Sequence, residues 1–230
     1  MAKRRLEIGE EVADKKAFAW AVDWPGWCRA GKDAELARKG LVDYAPRYAV
    51  VAKAARLKLP DMDGIELDAV ESVGGGGGTD FGVPSVITDH DRRRVTAAEA
   101  ERLASLVKAA WTVFDRVSAE APASLRKGPR GGGRDRDKMI GHVIESDHYY
   151  AREIGVRLPE PDPRDRKAVL AERRAVLDVL SQASDGSPLA ERKWTLRYAA
   201  RRIAWHALDH AWEMEDRSTP DVPTPGKDRR

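Results

Sequence analysis

The chain has 230 residues, 42% of them hydrophobic and 34% charged, which is enough for either one large domain or two ordinary domains with buried cores. Its 41 lysines and arginines are nearly balanced by 38 aspartates and glutamates, and the resulting net charge of +3 excludes the large single-sign field with which nucleic-acid-binding proteins attract phosphates. No run approaches the roughly 20 apolar residues of a membrane span, and a lone cysteine suits a reducing compartment, so we expect a cytoplasmic protein that binds neither nucleic acid nor membranes.

Residues 1–90 are predicted to form a small α+β domain that begins with a β-hairpin. Large side chains alternate with alanine over residues 18–22, as in a strand with two different faces. Pro25 and Gly26 then occupy the second and third positions of a four-residue type II turn, where proline and glycine are favoured. The chain is therefore expected to return as a second strand over residues 27–29.

Two helices, a third strand and a glycine-rich loop are predicted to complete this domain. Asp33 is placed to cap the first helix, and Pro46 opens a second helix that extends to about Leu57. Alternation returns over residues 65–70 and predicts the third strand. Five glycines, Gly74–Gly78, then interrupt regular structure as a linker or a mobile loop. The hairpin with its Pro-Gly turn and the helix after it resemble HicB-like ββα modules, without residues that would carry a function.

Residues 91–217 are predicted to form an all-α domain of four long helices. Thr96 and Glu99 form a capping-box pattern at the start of the first helix, whose apolar stripe continues to Pro122. The remaining helices are predicted over residues 138–155, 166–183 and 191–217. Four such helices are what a four-helix bundle needs. The proline-rich, charged residues 218–230 are predicted to be a disordered tail.

Two histidines, His206 and His210, are four residues apart on the last predicted helix. At 3.6 residues per turn, positions i and i+4 share one helix face, so both imidazoles point into the same volume. Imidazole is the commonest nitrogen ligand for zinc, nickel and similar ions. The second helix of this domain offers both His142 and His148 as a third ligand, and hydrophobic periodicity does not decide between them.

The segment Met139–Tyr150 (MIGHVIESDHYY), followed on the last helix by His206-x-x-x-His210, resembles the DinB/YfiT-like superfamily. Proteins of that superfamily are four-helix bundles with a three-histidine metal centre, so the resemblance implies such a bundle over residues 96–217. Carried over by position, it implies that His142, His206 and His210 are the metal ligands. Some members use this centre to bind a low-molecular-weight thiol, such as bacillithiol or mycothiol, and transfer or isomerise with it.

The resemblance and the ligand set together imply a divalent-metal-binding protein, with zinc or nickel as the cofactor, that acts as a metal-dependent small-thiol S-transferase or isomerase. Three histidines leave a coordination position open, as catalytic metal sites do. Glu145, Arg202 and Glu213 are candidates for supporting the ligands or holding a substrate, and Glu213 is also considered as a fourth ligand or a surface charge. The alternative function is a non-catalytic, stress-related binding module whose α+β domain makes the interaction. A homodimer is left open as the assembly.

Overall fold

The computed structural model describes residues 4–128 and 133–218, which form an α+β protein with one four-stranded sheet and seven α-helices. The strands are β1 (Arg5–Val12), β2 (Ala17–Ala21), β3 (Cys28–Gly31) and β4 (Glu66–Gly74). The helices are α1 (Ala34–Asp43), α2 (Ala45–Ala54), α3 (Gly77–Phe81), α4 (Ala97–Glu120), α5 (Arg136–Glu153), α6 (Arg166–Leu180) and α7 (Leu196–Ser218). None of the helices in the described part of the chain has the length and apolar character needed to cross a membrane. Residues 219–230 of the predicted tail lie outside the described residues.

The sheet has the strand order β3-β2-β1-β4, in which β1 is antiparallel to β2 and parallel to β4. Strand β1 is absent from the sequence-based prediction, because Glu10 and Glu11 interrupt its hydrophobic alternation. Both glutamates are buried. Glu10 pairs with Arg38 of α1, while Glu11 accepts hydrogen bonds from Thr79 and from two backbone amides. These partners are distant in sequence, so only the folded chain shows how the carboxylates are satisfied.

The predicted type II turn between β2 and β3 is confirmed. The amide of Trp27 donates to the carbonyl of Trp24 at 3.0 Å, and Gly26 has a φ of +90°. A Cβ atom on Gly26 would lie 2.6 Å from Cδ1 of Leu208 in α7. The hairpin therefore packs its turn directly against the last helix.

The run of five glycines joins β4 to α3. Gly74 ends the strand and Gly77 begins the helix. The amide of Gly76 donates to Oγ1 of Thr79 at 3.0 Å, and that hydroxyl donates to Glu11 on β1. The expected linker or mobile loop is therefore corrected to a short connection that is hydrogen-bonded to the sheet.

Four long helices, α4 to α7, pack against one another in the second half of the chain. The predicted capping box of α4 is confirmed, since the side chains of Thr96 and Glu99 each bond the other residue's amide. Helix α7 begins at Leu196 and not at residue 191. The reason is that Ala190 and Glu191 have φ values of +50° and +56°, in the left-handed region that a right-handed helix does not contain.

Helix α7 is largely buried and contacts both halves of the chain. Its Trp205 packs with side chains of the hairpin, and the ring centroid of Phe18 lies 6.0 Å away in an edge-to-face arrangement. Its Ile203 belongs to the same apolar core as Ile8 of the sheet. The predicted boundary near residue 90 thus falls within one continuous core, and the division into two domains stays a prediction.

Candidate metal centre

Within the described part of the chain, a single group of three mutually close ligand side chains occurs, and it consists of histidines. His142 lies on α5, and His206 and His210 lie on α7. One nitrogen of each ring is within 4.8 Å of the others. The ring centroids are separated by 5.1 Å for His142 and His206, 5.0 Å for His142 and His210, and 4.7 Å for the two histidines of α7.

The ring spacing fits one shared metal ion. A zinc–nitrogen bond of about 2.0–2.1 Å puts the centroid of a bound imidazole about 3 Å from the ion, so two rings at a tetrahedral angle have centroids about 5 Å apart. The separations of 4.7–5.1 Å meet this requirement. Three nitrogen ligands leave at least one coordination position open, which is the arrangement of catalytic zinc sites.

The orientation of His210 is set by Glu213, one turn further along α7. Nδ1 of His210 lies 3.0 Å from Oε2 of Glu213, so the opposite nitrogen of the ring is free for the cluster. The other oxygen of Glu213 accepts a 2.7 Å hydrogen bond from Arg217. The bond to His210 holds the pKa of Glu213 below its usual value, so this side chain is a carboxylate at neutral pH. Glu213 therefore occupies the position of a supporting acceptor and is not one of the clustered ligands.

We expect Glu213→Ala to weaken metal affinity about 10- to 100-fold, because acceptors that orient a ligating histidine contribute this much in known metal sites. The dissociation constant is measured by competition with a chromophoric chelator. Glu145→Ala is the matched control, since Glu145 is exposed and stands one turn from His142 outside the cluster. Equal losses of affinity in the two variants would contradict the role given to Glu213.

Two histidines of the cluster, His142 and His206, are neutral at physiological pH. Burial, reinforced by the charges of His210 and Arg202, holds the pKa of His206 well below its usual value. Burial, followed by the charge of His210, lowers the pKa of His142 to about 4. A metal ion requires the unprotonated imidazole. The site therefore presents its lone pairs at pH 7 without first releasing protons from these two rings.

His148, the alternative third ligand, lies away from the cluster. It is six residues after His142, which rotates it by about 240° around the axis of α5. Its Nδ1 lies 2.6 Å from Oε1 of Glu172 on α6, and both side chains are buried. Hence the structure brings His142 to the pair on α7, and it gives His148 a carboxylate partner between two helices.

Asp147, next to His148, is buried among charged groups of α4 and α6. Burial raises its pKa to about 7, opposed by Arg173, whose Nε lies 3.8 Å from Oδ2. Glu172 and Asp115 raise this pKa further, whereas Trp111 lowers it. Since the pKa of this aspartate in the unfolded chain is about 3.9, the group favours folding most below that pH, and its contribution declines as the pH rises to about 7.

We therefore expect Asp147→Asn to raise the free energy of unfolding by about 2 kcal/mol at pH 8, with little change at pH 4, because the amide stays neutral where the carboxylate must ionise. Urea denaturation at both pH values measures this difference. Asp14→Asn, at an exposed position, is the control and should leave the pH dependence unchanged. If the free energy of unfolding has the same pH dependence in the wild type and in Asp147→Asn, burial does not raise the pKa of Asp147.

Arg202 and Tyr150 lie beside the cluster, whereas Glu145 does not join it. Nη2 of Arg202 donates to the hydroxyl of Tyr150 at 2.9 Å, and the Tyr150 ring lies 5.6 Å from that of His206. The ring of Trp194 lies 5.2 Å from that of Tyr150. Neither aromatic residue was identified from sequence. Tyr150 follows His142 by about two helical turns, which is the signal that would have indicated it.

Comparisons of the chain with protein-family models, with curated proteins and with solved structures gave no match. The function of the protein therefore has to follow from the geometry of the three-histidine cluster and its surroundings.

Proposed function

We propose that this protein is a metal-dependent enzyme of the DinB/YfiT-like type, in which α4 to α7 are the four-helix bundle and the preceding sheet and helices are an added α+β domain. The observation that carries the proposal is the convergence of three imidazoles at ring separations of 4.7–5.1 Å. Their order supports it, with one ligand on the second long helix and two, four residues apart, on the last.

His142, His206 and His210 would hold a divalent ion, with zinc or nickel favoured by an all-nitrogen ligand set. Such an ion supplies Lewis acidity, which lowers the pKa of a thiol or water in the open position and makes it a nucleophile at neutral pH. Glu213 keeps His210 in its ligating orientation through the 3.0 Å hydrogen bond. Tyr150 would cover one side of the site, since its ring lies 5.6 Å from that of His206 and Trp194 packs against it.

The nucleophile is proposed to be a low-molecular-weight thiol, because the protein's own cysteine is not suited to the role. Cys28 is buried in the hairpin, and burial raises the pKa of its thiol to about 12. It therefore stays protonated and inert at neutral pH. A thiol brought by a co-substrate would lose its proton at the centre, attack an electrophilic carbon and displace a leaving group, as in an S-transferase. Addition and later release of the same thiol would give an isomerase.

Metal analysis of the natively purified protein tests the first part of this proposal, and about one zinc or nickel ion per chain is expected. Protein that is metal-free and takes up neither Zn²⁺ nor Ni²⁺ would rule it out. The second part is tested by incubating the metal-loaded protein with a small thiol and an aryl chloride. Metal-dependent release of chloride supports the transferase. Bound metal without turnover would favour the non-catalytic binding module instead.

A further inference from the structure

Beside the histidine cluster, α7 carries a group of buried nitrogen atoms without hydrogen-bond partners in the described part of the chain. They are Nη1 of Arg202, Nε1 of Trp205 and Nδ1 of His206. The three residues follow one another at i, i+3 and i+4, so they lie on one side of the helix. The guanidinium carbon of Arg202 is 4.6 Å from the Trp205 ring centroid, and the Trp205 and His206 rings are 6.0 Å apart. Buried donors without acceptors are costly, so this arrangement calls for an acceptor.

Arg202 is also a buried positive charge without a carboxylate partner among the described residues. Its residue exposure is 8%, and its only side-chain hydrogen bond there is the one to Tyr150. The neighbouring buried arginines differ in this respect, since Arg201 pairs with Asp91 and Arg173 pairs with Asp115. An unpaired guanidinium in a buried place costs free energy that its contacts with the Tyr150 and Trp205 rings offset only in part. The missing partner is therefore an anion.

We propose that Arg202 and Trp205 bind the carboxylate of a small thiol whose sulfur occupies the open position at the three-histidine centre. The inference rests on the proposed function and names the class of its thiol: a short mercaptocarboxylic acid or a molecule that ends in one. A carboxylate would accept from the two unpartnered donors, one on each side chain, while Nη2 of Arg202 is already engaged with Tyr150. Arg202 precedes His206 by one turn, about 5.4–6 Å along α7, so sulfur and carboxylate must be separated by only a few bonds.

The Co²⁺-loaded full-length protein tests this inference, because thiolate binding to cobalt produces a charge-transfer absorption band that can be titrated. The probes are 3-mercaptopropionate, which carries a carboxylate, and 2-mercaptoethanol, which is neutral. We expect the carboxylate probe to bind at least about 10-fold more tightly, as a charge-assisted hydrogen bond provides. Acetate should compete with 3-mercaptopropionate and leave 2-mercaptoethanol unaffected, and this comparison needs no variant.

Arg202→Gln is expected to reduce the preference for 3-mercaptopropionate to less than about twofold while still binding Co²⁺, which also shows that the variant is folded. Arg192→Gln is the matched control, since Arg192 pairs with Glu153 outside the site. Equal binding of the two probes by the wild type, or a preference that survives in Arg202→Gln, would overturn the carboxylate site and leave the metal centre standing. Failure to bind Co²⁺ at all would overturn both.

Discussion

Replacement of His206 by alanine is expected to lower metal affinity by at least about 100-fold, because loss of a ligand costs more than loss of a residue that orients one. His206 is the most buried residue of the cluster. Its ring centroid lies 5.1 Å from that of His142 and 4.7 Å from that of His210. Without it, His142 and His210 remain on separate helices as a two-ligand site. Elemental analysis after gel filtration should show about one ion per chain in the wild type and nearly none in the variant.

Two further substitutions distinguish the third ligand from the alternative that periodicity leaves open. His142→Ala should lose metal as His206→Ala does, whereas His148→Gln should retain it, since His148 is bound to Glu172 away from the cluster. His90→Gln is a neutral control on a segment outside the site. Loss of metal from His148→Gln in a folded protein, with metal retained in His142→Ala, would show that the cluster is not the metal site.

Replacement of Gly26 by alanine is expected to destabilise the fold by about 2–6 kcal/mol. An alanine at a φ of +90° is strained by about 1–3 kcal/mol, and overpacking adds a similar amount. The added Cβ would lie 2.6 Å from Cδ1 of Leu208 and 3.1 Å from Ala204. Because Leu208 stands between His206 and His210 on α7, metal affinity should fall as well. Urea denaturation and chelator competition measure the two effects.

Gly64→Ala separates backbone strain from the clash. Gly64 also has a positive φ, +64°, but a Cβ there would meet nothing within 4 Å. We therefore expect a loss of about 1 kcal/mol from conformation alone. If Gly26→Ala lowers the free energy of unfolding no more than Gly64→Ala does, the turn is not closely packed against α7. The continuity of the core between the hairpin and the helices would then need another explanation.

Local features of the fold were predictable because their determinants are close in sequence. The type II turn needs only Pro25 and Gly26, and the start of α4 needs only the exchange between Thr96 and Glu99. Strand β1 was not predictable in this way. Its two buried glutamates look like surface residues until Arg38 and Thr79 are brought beside them by the rest of the chain.

The candidate site also has some features that local sequence predicts and others that only the tertiary structure shows. The sequence by itself determined that His206 and His210 share a helix face, since the i, i+4 relation depends only on the geometry of one helix. It also supplied, by resemblance, His142 as their partner, while periodicity left His148 equally available. Only the tertiary structure brought the His142 ring within 5.0–5.1 Å of the pair and paired His148 with Glu172.

Only the tertiary structure, likewise, decided the chemical state of the site. The burial of α7 between the hairpin and the other long helices lowers the pKa of His206 and leaves Arg202 without a carboxylate partner among the described residues. The physical reason is that the burial of a side chain, and the charges that act on it, depend on contacts with residues from the whole chain. Side-chain direction along one helix, in contrast, is a property of four or five consecutive residues.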